Sequence, residues 1–222
     1  MIDEILTPFY EDCKPKPCEF GHLFLTATEY PPEELQLWRP TEYDNDVAKS
    51  YATTFEITKP KNDAFKRKYP LSNPRLKTNE EFIVSRSKPR PVVLIIPPMT
   101  INVPQEKGKG RIWRPLCLVA PMFSLEFPHT GEEKYPGEFI EQVRRLEFPQ
   151  LMFTPKYKDS KVDGILRLDE MQSVSINSLR PLEISLTDPV KKLLRSQILF
   201  LMTKFYDGDY AVYRDCIRAG LA

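Results

Sequence analysis

Few side chains in this chain are of types that carry out chemistry, and their spacing limits what that chemistry can be. The two histidines are His22 and His129, so a histidine-based triad or a histidine-rich metal site would have to use one of them. His22 falls in an alternating strand pattern and His129 follows a Phe-Pro step in a loop; both read as surface or loop histidines. Cys13, Cys18, Cys117 and Cys216 match neither a zinc spacing nor a CxxC motif. Cys117 lies in an apolar run and reads as a core thiol. Cys13 and Cys18 flank Lys-Pro-Lys-Pro, where a disulfide is conceivable, but nothing else in the chain points to secretion. Asp169 and Glu170 are neighbours with no second carboxylate at a known catalytic separation. The sequence therefore calls for no metal and no cofactor. What remains is arginine, lysine and hydroxyl chemistry. In KPRPVVLIIPP (88–98), Arg90 stands at the head of a five-residue apolar run. Taken alone, such an arginine opens a strand and faces solvent, with Pro91 fixing the backbone. Two basic clusters accompany it. KPKNDAFKRKYPLSNPRLK (59–77) reads as a solvated loop or as an arm that touches phosphate. KGKGR (107–111) reads as a hairpin tip or as a contact to RNA.

The elements that position these residues follow from pattern and punctuation. Twenty-two prolines against 8 glycines in 222 residues are about twice and half the usual shares. Proline bars helix interiors and central ladder positions, so short strands and stiff connections are expected. Strands are expected in FGHLFLTA (20–27), YATTFEIT (51–58), PVVLIIP (91–97), PLCLVAPMFSLEF (115–127), LMFTPKYK (151–158), ILRLDEMQSVSI (165–176) and LRPLEISLT (179–187). The unbroken apolar run after Arg90 predicts a strand covered on both faces. EELQLW (33–38) reads as a helical turn and FIEQVRRLEF (139–148) as a short helix. The longest proline-free window follows Pro189, where Thr187 or Asp188 caps a helix with Val190, Leu193, Leu194, Gln197, Ile198, Leu201 and Phe205 on one face. Leu199, Phe200 and Met202 fall outside that stripe, so part of this helix is expected to face a partner chain. A second helix is expected over Tyr210–Ala219, and residues 1–17 read as a poorly ordered lead-in. The formal net charge of +1 gives no global attraction to nucleic acid or to an anionic membrane. No run reaches the roughly 18 apolar residues of a membrane span, and the acidic MIDEILTPF start lacks the basic region of a secretory signal. A cytoplasmic protein with reduced thiols is expected.

The ordered set EFGHLFLTA, RPVVLIIPP, CLVAPMFS, FPQLMFTPKYKDSKVDGILRLDEMQSVSI and the helix after Thr187 resembles the MazF/PemK (Kid) toxin family over about half of the chain. The resemblance implies a mainly β (α+β) fold: an SH3-like β-barrel of the MazF/PemK type with a packed C-terminal helix. It implies a single domain, 1–222. The barrel core would come from 19–28 and 89–187, with 29–88 a proline-rich insertion and 188–222 a C-terminal helical segment. It further implies a homodimer that binds single-stranded RNA and is held in check by an antitoxin or other protein partner, with no membrane role. The implied activity is metal-independent cleavage, in which the RNA 2′-hydroxyl attacks its own phosphate. Arg90 would clamp the phosphorane, a role that suits a planar, permanently charged guanidinium on a rigid strand. The family's catalytic threonine falls on Phe123, so Ser124 would have to supply the hydroxyl, although neighbouring residues of a strand point to opposite faces. Lys88, Lys107, Lys109, Arg111 and Arg114 are the expected RNA-binding residues. The alternative is a catalytically degenerate barrel serving as a protein- or RNA-binding module in a larger assembly. A protein-directed toxin of the related CcdB type fits less well, because the RAGLA terminus lacks the terminal aromatic those toxins use.

Overall fold

The computed structural model describes residues 1–14, 18–30, 35–42, 51–57, 82–98, 115–127, 129–158, 160, 162–206 and 208–220; within 35–42 and 51–57 only the Leu37 and Trp38 side chains are included. The chain divides into two compact units, Met1–Thr28 with Pro89–Ala222, and Glu29–Lys88.

The first unit is α+β and mostly strand, a curled antiparallel half-barrel sheet with a few helices. Its strands are β1 (Tyr10–Asp12), β2 (His22–Glu29), β6 (Ser87–Ile96), β7 (Leu116–Phe123), β8 (Leu151–Thr154), β9 (Gly164–Arg167), β10 (Gln172–Ser175) and β11 (Arg180–Leu186). They run in the order β1-β11-β2-β6-β7-β9-β8, with β10 beside β7. β10 pairs with residues 116–119 of β7, whereas β9 pairs with Met122 and Phe123. One stretch of chain thus serves two parts of β7, changing direction at the 3-10 turn Leu168–Glu170. β6 is buried on both faces, as its unbroken apolar run requires. Val93 and Ile95 enter a large core with Leu23, Met122, Leu166 and Leu186, and Val92 and Leu94 a smaller one with Phe24, Cys117 and Val119.

The described residues of the unit also form the helices α1 (Ile2–Ile5), α2 (Gly137–Arg144), α3 (Asp188–Thr203) and α4 (Gly208–Arg218). α3 begins at Thr187 as N-cap, with Asp188 and Pro189 in its first turn; the acid favours the positive end of the helix dipole and proline costs no bond there. It buries Val190, Leu193, Leu194 and Gln197. The Gln197 amide donates to the Pro149 and Leu151 carbonyls, each at 2.8 Å, fastening α3 to the start of β8. Phe205 lies beyond the helix and is exposed rather than on the core face. No helix among the described residues is long and apolar enough to cross a membrane.

Residues 1–14 are not a loose lead-in. Ile2, Leu6, Phe9 and Tyr10 are buried in the large core. Asp3 takes a two-pronged bond from Arg144, Nε at 3.0 Å and Nη2 at 2.9 Å. The apolar spacing Ile2, Leu6, Phe9 carries this, with Tyr10 pairing Leu186 at the sheet edge.

The second unit is a three-stranded antiparallel sheet in the order β4-β3-β5, formed by β3 (Leu35–Glu42), β4 (Tyr51–Ile57) and β5 (Phe82–Ile83). The helical turn expected at 33–38 is therefore overturned for 35–38, which are strand. Pairing on both edges of β3, Trp38 to Thr54 and to Phe82, overrides the helix propensity of Gln and Leu. Leu37 is buried while Trp38 is exposed, and the indole meets the Phe82 ring edge-to-face at 5.9 Å.

Candidate functional site

The pairing of β6 with β7 places Val92 opposite Pro121 and Val93 opposite Ala120. Continued by two residues, that antiparallel register sets Arg90 opposite Phe123, on the same face. The side chains meet there: the Arg90 guanidinium carbon lies 4.0 Å from the centre of the Phe123 ring. A second guanidinium approaches the same ring. Phe123 faces Ile165 of β9, so Arg167, two residues on, is its diagonal neighbour, with its guanidinium carbon 5.7 Å from the ring centre. Arg167 is held by Asp169, Nε at 2.8 Å and Nη2 at 2.6 Å, and by Glu170 at 3.1 Å. The bonds it donates to Asp169 outweigh burial and raise its pKa, keeping the guanidinium charged.

Arg90 is buried, 7% exposed. It is not the solvent-facing strand opener that its position after Lys-Pro implies. Proline on either side fixes its backbone, and the phenyl ring opposite supplies an apolar cover that the negative face of an aromatic ring makes favourable for a cation. Phe123 thus covers the Arg90 guanidinium.

The backbone beneath this stack is fixed by Gly164, the first residue of β9. Its φ is +127°, and a Cβ built there would fall 2.0 Å from the Phe123 carbonyl oxygen and 3.1 Å from the Ser124 Cα. The Asp-Gly of the sequence is therefore a demand for close approach of two strands. Asp163, just before it, has its carboxyl pushed up by burial and by the neighbouring Glu126.

Ser124 lies one residue past the end of β7. Its hydroxyl donates to the Glu126 carbonyl at 3.1 Å and accepts from the Lys134 ammonium at 2.5 Å, and Lys134 also donates to the Ser124 carbonyl at 3.1 Å. The loop from 124 to 134 closes on itself, with Glu126 bridged to Glu133. Lysine binding is what holds this hydroxyl, not an arrangement with Arg90.

The remaining candidates are dispersed. Lys88 is exposed on β6 and belongs to the 29–88 unit. Lys107, Lys109, Arg111 and Arg114 lie outside the described residues, as does the basic run 59–77. His129 is exposed. His22 is not a surface residue: it is 7% exposed at the start of β2, its Nδ1 has no partner, and burial pulls its pKa below the ordinary value. None of Cys13, Cys18, Cys117 and Cys216 is in a disulfide, and Cys117 is buried. Among the described residues no group of three or more histidine, cysteine or acidic side chains converges to hold a metal. Arg167 and Lys134 were not among the residues singled out in the sequence. The signal for Arg167 was its place two residues after Ile165 in an alternating strand; Lys134 carried none, because its role depends on a loop closing. Comparison with protein-family models, curated proteins and solved structures gives no match.

Proposed function

We propose that this chain is a non-cleaving relative of the MazF/PemK barrels, a module that binds a protein or RNA partner within a larger assembly. The observation that carries this reading is the Arg90–Phe123 stack. The resemblance gives the position of Phe123 to a catalytic threonine and that of Arg90 to the phosphate clamp. Here a phenyl ring replaces the hydroxyl and covers the guanidinium. A stack of this kind is worth about 0.5–2 kcal/mol depending on desolvation, and a phosphate would have to displace it before reaching Arg90. The hydroxyl next along the chain, that of Ser124, is already bonded to Lys134 and to the Glu126 carbonyl. The reading carries with it an SH3-type closure of the barrel and a cytoplasmic location.

A second reading, a metal-independent endoribonuclease acting by 2′-hydroxyl transesterification, is favoured by the gathering of Arg90 and Arg167 at one ring. Two guanidiniums within reach of one point suit a phosphorane. In that reading Phe123 turns aside on binding, Arg90 and Ser124 take part in cleavage, and Lys88, Lys107, Lys109, Arg111 and Arg114 hold the strand of a homodimer-bound RNA. One experiment separates the two: purified protein and its Arg90→Ala and Phe123→Thr variants are incubated with mixed-sequence RNA in EDTA. The expected result is no cleavage by the wild type. Cleavage that leaves a cyclic phosphate and disappears in Arg90→Ala refutes the non-cleaving reading.

A further inference from the structure

Five of the large exposed apolar side chains of the described residues fall between 199 and 212. Met202 is 78% and Phe205 75% exposed, and Leu199, Tyr206 and Val212 accompany them. They sit where the end of α3 packs against α4. The base of this face is rigid, because Phe200, Tyr206 and Tyr210 interlock with ring centres 5.7, 5.4 and 5.6 Å apart. Exposed apolar side chains gathered at the junction of two packed helices, above a fixed aromatic base, have the form of an interface rather than of scattered exposure.

Charge says what covers it. The solvent stripe of α3 reads Lys192, Arg195, Leu199, Met202 at i, i+3, i+7, i+10, so the apolar end continues into a basic one. Among the described residues of these helices and their connection, Lys192, Arg195, Lys204 and Arg218 are exposed, against Asp188 and Asp215 as the exposed acids; Asp207 of the connection lies outside the described residues. Asp188 is 3.7 Å from Lys191 and partly spent on it. The Arg214 guanidinium lies over the Tyr206 ring at 5.3 Å, and its Nε is buried without an acceptor. A second copy docked on this face would set these cations against their own counterparts, since a two-fold contact pairs a patch with itself. A segment with apolar anchors flanked by carboxylates meets both needs.

We infer that the α3–α4 face docks an acidic amphipathic segment of a partner protein. This rests on the binding-module reading and gives it a surface and a partner chemistry. The test uses the full chain and two labelled model helices of about 18 residues, five turns, with one shared Leu/Phe face, one flanked by Glu and the other by Lys. Fluorescence anisotropy is expected to show the Glu helix bound at least about tenfold more tightly than the Lys helix, with the preference weakening in salt. Met202→Asp with Phe205→Asp is expected to weaken the Glu helix by about tenfold or more. Because both residues are exposed, circular dichroism should show the variant folded. A second variant, Arg195→Glu with Lys204→Glu, keeps the apolar face and should reverse the preference. Equal binding of both helices, or no binding, overturns the inference. So does a dimer by sedimentation that Met202→Asp dissolves, which would make the occupant a second copy. Binding to phosphatidylglycerol vesicles that Met202→Asp abolishes would make it a membrane surface and overturn it likewise. If the chain cleaves RNA through Arg90 while the charge preference holds, the non-cleaving reading fails and the docking face stands. If there is neither cleavage nor preference, only the docking face fails.

Discussion

Replacing Gly164 by alanine tests the backbone on which the candidate site is built. Two costs add. At φ +127° a residue with a Cβ is strained by about 1–3 kcal/mol. The new methyl would also meet the Phe123 carbonyl oxygen at 2.0 Å and its carbon at 2.7 Å. Neither atom is the movable end of a side chain, so β7 and β9 must separate at their shared pair, an overpacking worth about 1–3 kcal/mol. The sum, about 2–6 kcal/mol, is a large share of the roughly 5–15 kcal/mol that holds a protein folded. At roughly 2–4 °C per kcal/mol for a chain of this size it lowers the melting temperature by about 10 °C. Gly131 provides the control. Its φ is +70° and nothing lies within 4 Å of where its Cβ would be, so Gly131→Ala carries the strain alone, about 1–2 kcal/mol. Urea unfolding followed by circular dichroism gives both losses with the same baseline. If Gly164→Ala costs no more than Gly131→Ala, the two strands do not approach at Phe123, and the account of the Arg90 stack built on that register falls with them.

Two further perturbations address the supports of the sheet. Gln197→Ala removes the donor to the Pro149 and Leu151 carbonyls and should cost about 2–4 kcal/mol in urea unfolding, since buried acceptors left unpaired lose most of their hydration without return; a loss below about 1 kcal/mol would mean that α3 does not depend on this bond. His22 is buried, which lowers its pKa from 6.5, with Lys191 acting in the same direction and Glu19 and Glu11 against it. Between its folded pKa and 6.5 the unfolded chain binds more protons than the folded one, so stability rises with pH in that window; it falls as pH drops below 6.5 and stops falling once the folded pKa is passed. Urea midpoints measured across this range for wild type and His22→Gln should differ in slope, and equal slopes would show that the imidazole titrates as freely folded as unfolded.

The strands were legible because their signals are local. Val92–Ile95 is apolar without a break and comes out buried on both faces. Asp188-Pro189 after Thr187 marks the start of α3 one turn before its first buried leucine. What stayed hidden depends on partners far along the chain. The N-terminal residues look too few to fold alone, and they do not: Ile2 and Phe9 are buried against residues of the C-terminal third, and Asp3 is fixed by an arginine 141 positions away. Residues 35–38 carry the glutamine and leucine of a helix, yet they lie between two strands that satisfy their backbone. Burial of His22 was masked because its position in an alternating strand allows either face, and the sheet order that covers it is set by β11.

The same distinction explains the site. In the sequence Arg90 is an isolated charge, and under the MazF/PemK resemblance Phe123 falls where that family has a threonine, two separate readings that bear on catalysis in opposite directions. Register joins them. Once Val92 faces Pro121, Arg90 and Phe123 become one cross-strand pair, and a substitution at 123 is also a change in what covers position 90. A threonine there would leave the guanidinium in contact with a small polar group and open to a ligand. A phenylalanine stabilises the arginine in place and closes it off. Gly164 then locks the strand end that carries the ring, so the cover is not a side chain free to drift but one whose backbone cannot shift without separating β7 from β9. In the non-cleaving reading proposed for this chain, Arg90 serves folding stability rather than phosphate binding, and partner binding falls to surfaces elsewhere, the proposed face of α3 and α4 among them.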